Sequence, residues 1–131
     1  MSETGMKDQS RPSIRVLIVE DEASAREASR RYLEFVGFIV QTAGSASEAE
    51  STAAEFRPQV VVCDWRLAGS RAGIAVARVM LDTYDARVIF VTAYPLEELK
   101  DRTAGLNVSH YLRKPISLTA LAEKIDAVAP K

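Results

Sequence analysis

What most limits how this chain can fold is an alternation repeated five times, in which a short run of apolar, often β-branched residues is followed by a stretch with apolar residues at helical spacing. The runs are Ile14 to Val19, Phe38 to Thr42, Gln59 to Cys63, Arg87 to Val91 and Val108 to Leu112. Continuous rather than alternating hydrophobicity over so few residues predicts strands buried on both faces. Between them, Ala25, Ala28, Tyr32, Leu33 and Val36 share one helical face, as do Ala49, Ala53 and Phe56, then Ile74, Ala77 and Leu81. The last stripe, Leu118, Leu121, Ala122, Ile125 and Val128, follows Ser117 as an N-cap. Ser45 and Glu48 have the spacing of a capping box, and Gly37 and Gly105 sit where left-handed helix ends are expected. Parallel neighbours need crossovers, and those crossovers must cover the sheet. The chain is therefore predicted to be α/β, a five-stranded parallel sheet with helices on both faces.

A length of 131 residues with 47% hydrophobic content suits one domain. It is expected over residues 13–129, after a disordered polar leader, 1–12, and running into a loose Ala129-Pro130-Lys131 end. Seventeen basic against 18 acidic residues leave a formal net charge of -1, which provides no field for direct binding to nucleic acid or an anionic membrane. The start is too polar for a signal peptide, and no segment approaches the roughly 20 apolar residues of a membrane span. A soluble, cytoplasmic protein is the expectation. The single cysteine, Cys63, lies in an apolar run and reads as a small buried hydrophobe.

Ligands of open parallel sheets bind beyond the carboxyl ends of the strands. The residues there are Glu20-Asp21-Glu22 after the first run, Asp64 after the third, Thr92-Ala93 after the fourth and Lys114-Pro115 after the fifth. Taken singly they are ordinary: the acids would suit the positive start of the next helix, Asp64 could cap a loop, and Lys114 could be a solvated charge. Together, carboxylates from two strands converge on one edge, a costly arrangement unless a cation neutralises them. Hard oxygen ligands point to Mg2+, or Mn2+ in its place. With a phosphate added, Lys114 and the Thr92 hydroxyl face its oxygens, small Ala93 leaves room, and Asp64 becomes the nucleophile that forms an acyl phosphate.

The segments VLIVEDE at 16–22, VVCDWRL at 61–67, VIFVTAY at 88–94 and YLRKPI at 111–116 resemble, in order and spacing, the receiver domains of two-component response regulators. The resemblance covers about Ile14 to Val128. It implies a flavodoxin-like (βα)5 fold with strand order 2-1-3-4-5. It also implies that Asp64 is the phosphoacceptor, that Asp21, Asp64, Glu20 and the backbone carbonyl of Arg66 hold the metal, and that Thr92 and Tyr111 are switch residues beside Lys114. The Lys114-Pro115 bond is expected to be cis. The implied donor is a sensor histidine kinase or histidine phosphotransfer protein. The implied output surface, made by the fourth helix, fifth strand and fifth helix over roughly Pro95 to Val128, would bind a partner or a second copy. No output domain is visible, so the expectation is a stand-alone regulator or a piece of a larger one.

The chain departs from the family pattern after Asp64, where Leu67-Ala68-Gly69-Ser70-Arg71-Ala72-Gly73 lacks the usual proline. Bulky Arg66 and Tyr94 occupy positions that flank the path of hydrolytic water, so both are expected to modulate the life of the acyl phosphate. Trp65 reads as a partner contact or a reporter of the site, and His110 as structural. Two rival readings are an interaction module that signals without phosphorylation and a phosphohydrolase with an aspartyl-phosphate intermediate. The full acid, threonine and lysine set argues against the first. The second typically needs an aspartate two residues after the nucleophile, where this chain has Arg66.

Overall fold

A computed structural model describes residues 13–64 and 71–130 of the chain. The elements run β1 (Arg15–Val19), α1 (Ala23–Phe35), β2 (Ile39–Ala43), α2 (Ala46–Phe56), β3 (Val60–Asp64), α3 (Arg71–Tyr84), β4 (Arg87–Thr92), α4 (Leu96–Arg102), β5 (His110–Arg113) and α5 (Leu118–Val128). All strand pairs are parallel, and the sheet order is β2-β1-β3-β4-β5. The expected leader 1–12, and Trp65, Arg66 and the 67–70 stretch, lie outside the described residues.

Strand parity sorts the apolar side chains into two layers. Val16, Ile18, Val60, Val62, Ile89 and Val91 face α1 and α5 and pack with Leu33, Leu121 and Ile125. Their neighbours Leu17, Val19, Val61, Cys63, Val88 and Phe90 face the other way, onto Ala49 and Ala53 of α2, Val76 and Met80 of α3 and Leu99 of α4. Because both faces are covered, the central strands carry no polar alternation, which is why their runs read as continuous. The chain leaves β1 for β2 on one side and returns to β3 on the other. The switch point of the sheet therefore lies between the carboxyl ends of β1 and β3.

Several local expectations are met in detail. Ser117 Oγ accepts from Ala120 N–H at 3.0 Å and Ser45 Oγ from Glu48 N–H at 3.2 Å, each satisfying an orphan donor of a helix start. The Glu48 carboxylate reaches back to Gly44 N–H at 2.6 Å, one residue before the position a capping box would use. Gly37 has φ 112°, a value that favours glycine.

Other expectations need correction. Among the described glycines only Gly37 has positive φ; Gly105 does not, and the left-handed helix ends fall instead on Arg57 (φ 52°) and Asp85 (φ 54°). Arg57 is held there as the C-cap of α2, with its N–H on Ala53 C=O, so the backbone bond sets the conformation regardless of side chain. Ala129 is not loose: it caps α5, is buried, and donates to Ile125 C=O at 3.0 Å. Strand β5 begins at His110 rather than Val108, because Val108 sits in a turn, its N–H on Leu106 C=O, and packs into the core from there. The third and fourth strands extend one residue beyond their apolar runs, so that Asp64 pairs with Val91 and Thr92 with Arg113.

Candidate functional site

That extension places two polar residues on the last rungs of the sheet, where the ladder holds their backbones. Asp64, 5% exposed, continues the parity of Val60 and Val62 and therefore stands on the α1/α5 face. Glu20, just past β1, is on the same face and also buried. Its backbone is pinned on both sides: its N–H donates to Ala43 C=O at 2.9 Å, and its carbonyl accepts from Arg26 Nη1 at 2.8 Å. One carboxylate oxygen from each of Glu20, Asp21 and Asp64 lies within 4.8 Å of the others.

Lys114, which follows β5, crosses to this cluster. Its Nζ lies 2.9 Å from Asp64 Oδ2 and 3.7 Å from Glu20 Oε1. Burial, then hydrogen bonding to Asp64, pushes the Glu20 carboxyl up from 4.5 to about 7, with Lys114 pulling the other way. A cavity of about 610 Å³ opens below the acids between α1 and α5, walled by Ile18, Val62, Val91, Ala28 and Leu121. The short side chains of Ala25 and Ala28 leave this space, and its walls give Glu20 little to replace water with.

The helix-start explanation of the acidic triplet holds for one of its members. Glu22 is the N-cap of α1: its carboxylate accepts from Ala25 N–H at 2.8 Å and from the Ser24 hydroxyl at 2.6 Å. These bonds hold its own acid below the usual carboxylate range. Glu20 accepts from Glu22 N–H at 3.0 Å and otherwise faces Asp64 and Lys114. Capping thus accounts for Glu22 and leaves the Glu20–Asp21–Asp64 cluster to be explained otherwise.

Thr92 has the opposite parity to Asp64, in phase with Val88 and Phe90, and is fully buried. Its Oγ1 accepts from Tyr94 N–H at 3.0 Å, and its carbonyl accepts from Lys114 N–H at 2.7 Å. Tyr94 itself is 51% exposed on the rim of the site. The Tyr111 ring lies against Phe90 with centroids 6.1 Å apart, packed on the α2/α3/α4 face. The Lys114–Pro115 peptide bond is cis. His110 pairs with Ile89 in the ladder, and Cys63 is buried, its thiol pushed up to about 12 by desolvation. The Arg66 carbonyl and side chain lie outside the described residues. Sequence reasoning missed Thr103, a buried hydroxyl at the end of α4 that contacts Tyr111. No periodicity marks a polar contact made eight residues along the chain.

An open parallel sheet with an acid cluster at its switch point, a lysine across it and a buried threonine beside it defines a class of signalling domain, and comparison with known proteins agrees. A family model described as the response regulator receiver domain matches residues 16–126, and the chain belongs to that family, the receivers of two-component signalling. It is 31% identical over 116 residues to the phosphate regulon transcriptional regulatory protein PhoB of Pseudomonas aeruginosa, covering 86% of this chain and 50% of that protein. It is 33% identical over 118 residues to the response regulator MprA of Mycobacterium ulcerans, covering 88% and 50%. The chain thus spans about half the length of these curated relatives. Among solved structures, a CheY-like receiver domain protein from Methanospirillum hungatei superposes with a TM-score of 0.79 at 24% identity, covering 88% of this chain and 93% of that one. This likeness confirms the flavodoxin-like order 2-1-3-4-5. No helix among the described residues is long and apolar enough to cross a membrane.

Proposed function

We propose that this receiver is a phospho-accepting switch in which Asp64 takes a phosphoryl group from a phosphohistidine on a sensor histidine kinase or histidine phosphotransfer protein. In that step an Asp64 carboxylate oxygen forms the new bond to phosphorus, the N–P bond breaks, and the imidazole leaves with the electron pair and takes up a proton. The observation that carries the reading is the placement of Asp64, buried at the switch point, clustered with Glu20 and Asp21 and 2.9 Å from Lys114.

The donor set fits a hard divalent cation. Three carboxylates converge at hard-oxygen ligand spacing, and the Glu20 acid is raised to about 7, first by burial and then by its hydrogen bond to Asp64. Asp21, Asp64 and Glu20, with the Arg66 carbonyl, would hold Mg2+ or Mn2+. The ion would supply charge neutralisation for the transferring phosphoryl group. Lys114 would shift from the carboxylates to a phosphoryl oxygen, and Thr92, whose hydroxyl proton is not used in accepting from Tyr94, would donate to another. Tyr111 would carry that movement to the surface formed by α4, β5 and α5, which binds a partner or a second copy. Arg66 and Tyr94 would screen the acyl phosphate from water. The receiver, taken as residues 13–129, would act in the cytoplasm and assist its own phosphorylation and dephosphorylation without turning over a separate substrate. The chain spans half of PhoB and half of MprA, the half that would carry receiver chemistry. Incubation with acetyl phosphate and Mg2+ should label the wild-type chain at an acid-stable, base-labile position and leave Asp64→Ala unlabelled; equal labelling of both would overturn the assignment.

A further inference from the structure

The Tyr111 ring packs inward against the core, and its position has an identifiable cause. Thr103, the C-cap of α4, is 1% exposed. Its Oγ1 donates to Leu99 C=O at 2.9 Å and lies 2.7 Å from the Tyr111 hydroxyl. A threonine hydroxyl has one proton. With that proton on the Leu99 carbonyl, only lone pairs face Tyr111, so the phenol must be the donor. The result is an ordered relay from Tyr111 O–H to Thr103 Oγ1 and from Thr103 O–H to the backbone of α4. Two further contacts seat the same ring: Phe90 stacks against it at an interplanar angle of 28°, and the Lys100 ammonium stands 5.7 Å above its centroid. These contacts do not run through Thr92, whose Oγ1 accepts from Tyr94 N–H at 3.0 Å.

We propose that Thr103 is a positioning residue of the switch, holding Tyr111 inward and thereby biasing the α4–β5–α5 surface toward the form that goes with the inward ring. The inference deepens the function proposed above and rests on Tyr111 being its readout. A ligand at Asp64 can shift Tyr111 only as far as the two ring positions differ in population beforehand. Contacts that favour the inward position leave a smaller share of the change at Tyr111 to phosphorylation. Removing the Thr103 hydroxyl shifts the ring toward the outward position and enlarges that share.

The test uses the full chain labelled with 3-fluorotyrosine. The sequence has four tyrosines, so Tyr111→Phe identifies the fluorine resonance of Tyr111, and half-exposed Tyr94 provides a solvent reference. In the resting protein, Thr103→Val should move the Tyr111 resonance toward that of Tyr94, while Thr103→Ser, which keeps the hydroxyl, should leave it at the wild-type position. Adding beryllofluoride with Mg2+ should then move the Tyr111 resonance further in Thr103→Val than in wild type. An unmoved resting resonance in Thr103→Val, an equal displacement in Thr103→Ser, or an equal beryllofluoride response in wild type and Thr103→Val would each overturn the proposal. Loss of Asp64 labelling from acetyl phosphate would overturn the phosphoacceptor reading separately, since the resting-state comparison needs no phosphoryl group.

Discussion

Replacing Glu20 by glutamine tests the electrostatics of the site directly. In the metal-free protein the Glu20 acid is raised from 4.5 to about 7, first by burial and then by its hydrogen bond to Asp64. The folded state therefore keeps a proton that the unfolded chain releases over that interval. Stability from this source is complete below pH 4.5 and is lost as pH rises through about 7. At about 1.4 kcal/mol per pH unit, the loss has a ceiling of roughly 3 kcal/mol. Glutamine has the same shape, keeps an acceptor for Glu22 N–H and cannot ionise, so the variant should lack this loss. The assay is urea unfolding in a chelator at about pH 5 and about pH 8, the two sides of the titration. Wild type should weaken between the two conditions by up to roughly that ceiling relative to Glu20→Gln, and saturating Mg2+ should remove most of the difference by stabilising the ionised acids. Parallel pH dependences for wild type and variant in chelator would refute the reasoning, because the buried proton would then not exist.

The same site carries other expected outcomes. Lys114→Met removes the cation that pulls the Glu20 acid down, so its titration, followed by carbon NMR of the carboxyl, should move above about 7. Cys63, buried with its thiol pushed up to about 12, should resist thiol reagents in the folded protein and react only at the rate of global opening, measured by labelling against urea. Arg66→Ala combined with Tyr94→Ala should shorten the life of the acyl phosphate, measured as loss of label after removal of the donor, and an unchanged rate would end the screening role.

The sheet and its helices were legible because burial on both faces leaves an unbroken apolar run for each strand, and packing on one side leaves a stripe for each helix. Asp64, Thr92 and Lys114 were legible for a topological reason: residues that follow consecutive parallel strands must meet at one edge. Legibility failed where backbone geometry, not side-chain pattern, decides the outcome. Arg57 and Asp85 adopt left-handed conformations that a sequence reader assigns to glycine, while Gly105 does not. Val108 has the chemistry of a strand residue and the hydrogen bonds of a turn. Glu22 and Glu20 are two residues apart and chemically alike, yet one caps a helix and the other shares a buried cluster; only the direction of each side chain separates them. The link from Thr103 to Tyr111 is invisible for the same reason.

Parity along the strands has a further consequence. Glu20 and Asp64 stand over the layer that contains α1, α5 and the cavity, while Thr92 and Tyr111 belong to the layer of α2, α3 and α4. The sheet separates the acid cluster from the Tyr111 ring, and the Lys114 N–H to Thr92 carbonyl bond joins the two layers at its rim. Under the function proposed above, changes to the cavity lining would retune how the acids meet a donor without disturbing the Tyr111 contacts, and changes around Tyr111 would retune output without altering Asp64. A lineage carrying this frame would then be able to exchange its upstream and downstream partners one at a time.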